Sequence, residues 1–258
     1  MTDRLGDGLI LYHGWTSSAS RKVRFALAEK GLPYDSRPVD IRRNEHHTPE
    51  YRRINPRGVV PALIHDGVAL IESTFICEYI DDAFPDPPLR PAEPLARYRM
   101  RMWCRDVDER YLPAVQKHNW QATIHPIARA WSDAELEERL ARIPSPERRQ
   151  LWYRMAREPF TEAELEGAME VLRGLIREME AALADRQWLT GEALTLADIA
   201  VTPYVKRIEE LEPRQLDGGV NPRAAGWWRR ITARPGYRAA NIGGYLEQAA
   251  PDYRVPSA

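Results

Sequence analysis

The sequence predicts a small α/β domain with a mixed sheet, followed by a larger, all-helical domain. Two observations carry that expectation. Between residues 9 and 84, short apolar runs alternate with amphipathic ones and close on a hairpin signal. Residues 85–94 then hold five prolines in ten positions, and beyond them strand signals stop while Arg, Glu, Ala and Leu recur at helical spacing. The expected division is 1–84, a linker at 85–94, and 95–258. With 258 residues, 43% hydrophobic and 29% charged, the chain is long enough to bury real cores and too apolar to stay disordered.

The elements follow in order. Residues 9–12 (LILY) have strand length and end at His13-Gly14. The hydroxyl-rich stretch 16–20 leads into RKVRFALAEKGL, where Val23, Phe25, Ala26 and Leu27 keep helical spacing and Gly31 stops the run. Residues 34–41 read as a second strand and 46–54 as a short polar helix. Strands at 62–64 and 68–71 flank Asp66-Gly67, a pair suited to a two-residue hairpin turn. Ser73 is expected to N-cap a helix with Phe75, Ile76, Tyr79 and Ile80 on its apolar face. In the second domain, Thr195 and Asp198 form a capping box, and WWRRITARPGY reads as a helix stopped near Arg234-Pro235-Gly236. The segment 116–160 is long for a connection and predicts a lid or an extra helix pair.

Composition excludes several functions. The 37 Lys+Arg against 38 Asp+Glu leave a net charge of −1, so no bulk field draws the chain to nucleic acid or anionic lipid. Two cysteines, Cys77 and Cys104, make neither a disulfide scaffold nor a zinc cluster, and both read as small near-core hydrophobes. No apolar run approaches the ~20 residues that span a bilayer. Residues 1–10 mix acids with Arg4 and lack a signal-peptide layout, so a cytoplasmic location is expected.

The most informative residue is Pro61, which opens a strand although it cannot donate to a ladder. A cis bond there would expose the Val60 backbone to a ligand; a trans proline at an edge would be purely structural. The context is Asn55-Pro56-Arg57-Gly58-Val59-Val60-Pro61-Ala62-Leu63, with Glu72-Ser73 eleven residues after the proline. With the capping box at 194–199 and WWRRITARPGY, this strongly resembles the glutathione transferase superfamily. The resemblance implies a thioredoxin-like first domain, glutathione as co-substrate and a homodimer. It also implies that Val60, beside Val59 and before a cis Pro61, pairs with the cysteinyl backbone of glutathione. Glu72 and Ser73 would hold the γ-glutamyl end, and His46, next to His47, the glycyl carboxylate.

By the same resemblance to the serine-type enzymes, Ser17 occupies the place that activates the glutathione sulfur, ahead of Ser20 and Ser18 as candidates. Ser17-Ser18-Ala19-Ser20 overlays the thioredoxin CxxC without a cysteine, which disfavours disulfide exchange. A helix start and a hydroxyl donor both stabilise a thiolate, and no metal is required. Between Arg21 and Arg57 ten basic residues face five acids, an excess suited to an anionic tripeptide. The second domain should line a pocket for a hydrophobic electrophile with Trp15, Tyr111, His118 and Trp120; Trp103, Trp131, Trp152 and Tyr153 are further candidate walls.

Within the superfamily the chain looks most like the bacterial glutathione-dependent β-aryl-etherases. The resemblance lies in ESTFICEYIDDAFP, in LRPAEP and in the block from SDAELEERL to RRQLWYRMA. It departs at Ala19, where that branch carries asparagine and where zeta-type isomerases carry cysteine. The expected activity is attack by a bound glutathione thiolate on a small, aromatic electrophile. The alternatives are a glutathione-dependent dehalogenase and a non-enzymatic interaction protein on the same fold.

Overall fold

The computed structural model describes residues 8–250 and Asp252, so the reading of residues 1–10 falls largely outside the described residues. Strands β1 (Leu9–His13), β2 (Asp35–Pro38), β3 (Ala62–His65) and β4 (Val68–Ile71) form one sheet in the order β2-β1-β3-β4. β2 runs parallel to β1, whereas β3 and β4 add antiparallel, pairing Leu11 with Leu63 and Leu63 with Leu70. The apolar strands β1 and β3 hold the centre, while β2 is exposed along its length and ends at Pro38, three residues short of the predicted strand. Asp66 and Gly67 turn the hairpin with φ of 48° and 81°, the left-handed pair that a two-residue turn requires.

Helix α1 (Ser18–Glu29) packs against α3 (Ser73–Ala83), and both share a core with Leu11 of β1 and Leu63 of β3. The predicted helix at 46–54 is split into a tight turn, Glu45–His47, and α2 (Pro49–Ile54). Pro49 forces Thr48 into extended backbone, and Thr48 caps α2 by accepting from the Tyr51 N–H at 3.3 Å. The start of α3 also differs from expectation. Its cap is Glu72, at φ 69°, whose carbonyl accepts the first helical bond from Ile76; Ser73 is already the first helical residue. Phe75, predicted on the apolar face, points outward with 68% of its surface exposed.

The basic excess expected around an anionic ligand is largely spent inside the protein. Arg21, Lys22 and Arg24 on α1 and Lys30 at its C-cap are all buried. Arg21 donates to the Gly243 carbonyl at 3.1 Å and to Gln248 Oε1 at 2.6 Å. Arg24 reaches the Ala240 carbonyl at 2.9 Å, Lys22 pairs with Asp108 at 2.7 Å, and Lys30 with Asp81 at 2.5 Å.

Beyond α3 the chain passes through 84–93 without helix or strand, yet it is pinned. The Leu89 N–H donates to Asp81 at 2.8 Å, and its carbonyl accepts from Leu196 at 2.8 Å. Helices then follow: α4 (Pro94–Asp106), a π-helical turn at Val107–Tyr111, α5 (Leu112–Thr123), α6 (His125–Ala128), α7 (Asp133–Ala141) and α8 (Pro146–Arg157). After them come α9 (Glu162–Ala182), α10 (Leu196–Leu211), α11 (Pro222–Ala233), α12 (Pro235–Ala239) and α13 (Tyr245–Gln248). No strand is found after residue 71 among the described residues. One core joins the sheet helices to α4, α9, α10 and α11 and takes in Cys77 and Cys104. A separate apolar cluster, built on Trp120, Ile124, Leu136, Trp152 and Phe160, supports the segment predicted as a lid or helix pair.

Asp198 is the polar anchor of the helical core. Fully buried, it accepts from Leu189 N–H at 3.0 Å, Thr195 N–H at 2.9 Å and Trp227 Nε1 at 2.8 Å. Asp198→Ala would orphan three buried donors and is expected to destabilise the protein by about 3 kcal/mol or more in urea titration. A loss below about 1 kcal/mol would contradict that role.

Candidate functional site

The site is a cavity of about 810 Å³ between the sheet domain and the helical domain. Its polar wall begins at the turn before α1. Gly14 brings the backbone close to Ile41, whose Cδ1 would have to move aside for a Cβ 2.7 Å away. The Gly14 carbonyl accepts from Ser17 N–H at 3.2 Å, and the Gly14 N–H donates to Ser20 Oγ at 3.2 Å. Ser17 caps α1 by accepting from Ser20 N–H at 3.2 Å, which leaves its hydroxyl proton free to donate. Thr16, Ser17, Ser18 and Ala19 all line the cavity at this helix start.

The Val60–Pro61 bond is cis, and Val59, Val60 and Pro61 form the adjoining stretch of wall. Tyr51 Oη and Asn55 Nδ2 both donate to the Val59 carbonyl, at 2.6 and 2.7 Å, fixing this loop from behind. Among the described residues, no hydrogen bond occupies the Val60 N–H or C=O. Glu72 and Ser73 lie alongside, where α3 begins with its first N–H groups unspent and Arg57 pairs with Glu72 at 2.5 Å.

Opposite stands a wall contributed by the helical domain: Leu112, Val115, Trp120 and Ile124, with Pro144 beside them. Asp108, on the π-helical turn, reaches the cavity and is tethered by Lys22 at 2.7 Å and by the Thr74 hydroxyl at 2.6 Å. Tyr245 returns from the end of the chain to close one side, its hydroxyl 3.1 Å from Thr123 Oγ1.

Nine of the sequence-predicted residues thus meet in one cavity: Ser17, Ser18, His46, Val59, Val60, Pro61, Glu72, Ser73 and Trp120. Four do not. Ser20 is fully buried beneath the turn, holding the Gly14 N–H. Trp15 lies between the Arg24 guanidinium, 4.7 Å over its ring, and the edge of His13. Tyr111 is a core residue that donates to Glu178 at 2.6 Å, and His118 sits on α5 outside the lining. Of the further wall candidates, Trp152 is buried in the smaller core, stacked on Trp131, and Tyr153 faces outward.

Residues that the sequence left unmarked are Asp108, Arg148, Tyr245 and the apolar positions of α5. Asp108 had no legible signal, because the π-helical turn shifts the helix face at that point. Arg148 had one: it is a cation in the first turn of a helix, against the macrodipole.

His46 reaches the cavity as a neutral ring. It is buried against His47, with centroids 3.8 Å apart, and burial, His47 and Arg148 hold its pKa well below the ordinary value. His47 is lowered to about 4, chiefly by burial and then by Arg148. A glycyl carboxylate would therefore meet an uncharged imidazole at this place.

Comparison with known proteins places this geometry in context. Residues 11–88 match the glutathione S-transferase N-terminal domain model, and residues 146–235 match the C-terminal domain model. Protein LigF of Sphingobium sp. strain SYK-6 is 36% identical over 233 residues, covering 88% of this chain and 90% of that protein. The crystal structure of beta-etherase LigF superposes with a TM-score of 0.81 at 34% identity, covering 93% of this chain and 98% of that one. A probable maleylacetoacetate isomerase of Vibrio cholerae is 30% identical over 234 residues, covering 90% of this chain and 94% of its own length.

The buried imidazoles make stability depend on pH. His13, hydrogen-bonded to Ser36 and beside Arg24, is lowered to about 3 by burial and by that guanidinium. His46 and His47 are lowered as well, so below about pH 6.5 the unfolded chain binds protons that the folded chain refuses. Stability is therefore complete above that pH and is lost as pH falls toward 4. The melting temperature should drop across this window, and His47→Gln should flatten the slope. A constant melting temperature from pH 6.5 to 4 would contradict neutral burial of these rings.

Proposed function

The chain belongs to the glutathione S-transferase family, and from that premise we propose that it cleaves β-aryl ethers with the thiolate of bound glutathione. The observation that carries the reading is the two-sided cavity. A wall of helix starts and free backbone groups faces an apolar wall of Leu112, Val115, Trp120 and Ile124, wide enough for an aromatic substrate beside a tripeptide. Support comes from LigF, which matches along most of both chains and whose crystal structure is described as a beta-etherase.

In this reading the free Ser17 hydroxyl donates a hydrogen bond to the sulfur, while the positive end of α1 favours the thiolate. The Val60 N–H and C=O pair with the cysteinyl backbone. Glu72 accepts from the α-ammonium, and Ser73 meets the α-carboxylate at the start of α3. Glutathione, when bound, supplies the nucleophile: a C–S bond forms at the carbon beside the ketone as the C–O bond breaks, and the electron pair leaves with the aryloxide. Ala19 lacks the side-chain amide of the etherase branch, but its backbone N–H, in the first turn of α1, offers a donor at the same end of the cavity. Orientation and thiolate stabilisation are the contributions asked of the protein. Phe75, Leu95 and Tyr98, exposed at 68%, 52% and 59%, support the expectation of a homodimer.

Two measurements test the reading. A screen of glutathione with aryl ether ketones, haloalkanes and an aryl halide, read by mass spectrometry, should yield a glutathione thioether and a free phenol from the first class. Haloalkane products alone would favour a dehalogenase, and failure to be retained on immobilised glutathione would favour an interaction protein. Ser17→Ala should raise the pKa of the bound thiol by about one unit, lowering kcat/KM at neutral pH by roughly tenfold. Ser17→Thr, which keeps the cap and the hydroxyl, should restore most of it; an unchanged pH–rate profile for the alanine variant would remove Ser17 from this role.

A further inference from the structure

Of the fully charged groups lining the cavity, one stands apart. Glu72 is paired with Arg57, Asp108 with Lys22, and Arg42 with Asp40. Arg148 also lines the cavity, and among the described residues no carboxylate pairs with it. Its Nε is buried and makes no hydrogen bond. Arg148 as a whole is only half-buried, but a buried guanidinium N–H without an acceptor is costly, and among the described residues the fold supplies none for its Nε.

The helix that carries Arg148 sharpens the point. In α7 and α9 the third helical residue is glutamate, Glu135 and Glu164, and each completes a capping box with Ser132 and Thr161. In α8 the same position, three residues after the cap Ser145, is Arg148. There a cation opposes the helix dipole and forfeits the box, so helix stability does not account for it. Glu147 turns away to accept from the Ser145 hydroxyl at 2.5 Å.

The surroundings are built rather than loose. The turn carrying His46 and His47 packs beneath α8, with Trp152 ring centroids 6.4 and 6.2 Å from theirs. Gly58 lies so close that a Cβ would sit 3.1 Å from His47 Cδ2 and 3.6 Å from Pro144 Cδ. Burial holds both imidazoles toward the neutral form, and of the cavity's arginines Arg42 and Arg57 are paired with carboxylates while Arg148 is not.

We infer that Arg148 is a carboxylate-binding residue, contributed by the helical segment 116–160, whose missing acceptor is a carboxylate on a ligand in the cavity. A carboxylate matches a guanidinium by two parallel N–H bonds and cancels its charge. The source is either the glycyl end of glutathione or a carboxylate borne by the electrophile. The inference deepens the proposed function, resting on it only for the first of these ligands.

The test uses two matched ligand pairs on the wild-type protein and on Arg148→Gln, with binding read by tryptophan fluorescence and calorimetry. The first pair is glutathione and its glycyl ethyl ester. The second is 4-chloro-3-nitrobenzoate and its methyl ester, added to protein saturated with S-methylglutathione so that no reaction occurs. In one pair the free acid should bind about tenfold tighter than the ester to wild type, and Arg148→Gln should abolish that preference. Loss in the first pair assigns the glycyl carboxylate, and loss in the second assigns the electrophile. Preference absent from wild type in both pairs, or retained in the variant, overturns the inference. Should Arg148→Gln fail to fold by circular dichroism, Arg148→Lys, which keeps the charge but not the bidentate fork, should weaken the preference instead; full retention overturns the inference. A wild-type protein that binds neither form of glutathione refutes the glutathione reading, while the benzoate pair, then run without S-methylglutathione, still decides Arg148.

Discussion

The geometry of this molecule depends on four cations buried along α1 and its C-cap. Arg21, Lys22, Arg24 and Lys30 leave water when α1 packs between the sheet and the helical domain. Each is compensated by groups from outside α1: carbonyls at Gly243 and Ala240, the amide of Gln248, and the carboxylates of Asp108 and Asp81. A buried cation left without partners costs several kcal/mol, so the second domain and the last described helix cannot drift from α1 without exposing that penalty. The consequence for function is direct. Ser17 sits at the start of α1, and the apolar wall facing it rides on elements that those cations hold in place. The distance across the cavity is thus set by carbonyl contacts formed behind α1 and by the Lys22–Asp108 pair at the cavity's own edge.

How far the sequence revealed this depends on the range of the interactions involved. The sheet domain was legible because its determinants are local, the short apolar runs of β1 and β3 and the Asp66-Gly67 turn, and so was the Thr195–Asp198 box in the second domain. The motif around Pro61 was legible because a proline opening a strand is a local anomaly. The buried cations were not. A run such as Arg21-Lys22-Val23-Arg24 looks like a solvated helix face, and only the tertiary fold brings its carbonyl and carboxylate partners. The same limit explains Ser73 and Glu72. A serine before an apolar run reads as a cap, whereas the backbone turn at Glu72, with positive φ, starts the helix one residue earlier. Aromatic residues at helical spacing are equally compatible with core and cavity, which is why Tyr111 and Trp152 belong to cores while Trp120 reaches the lining. Asp108 depended on a π-helical turn that leaves no periodic signature.

The apolar wall is divided between the two cores, Leu112 and Val115 with the larger and Trp120 and Ile124 with the smaller, and this bears on how selectivity is encoded. The polar wall stands at the ends of α1, β3 and α3, the elements that carry the main core. Trp120, Ile124 and Arg148 stand on the segment with its own apolar cluster, centred on Trp152. Packing defects in that smaller core need not propagate into the larger one, since residues that share no partners act nearly independently. The part of the wall carried by Trp120, Ile124 and Arg148 can therefore change its shape and charge while the groups that face a tripeptide stay fixed. A cation in the first turn of α8 fits that division: it weakens a helix that the main core does not need, and it adds a charge to the wall that distinguishes one ligand from another.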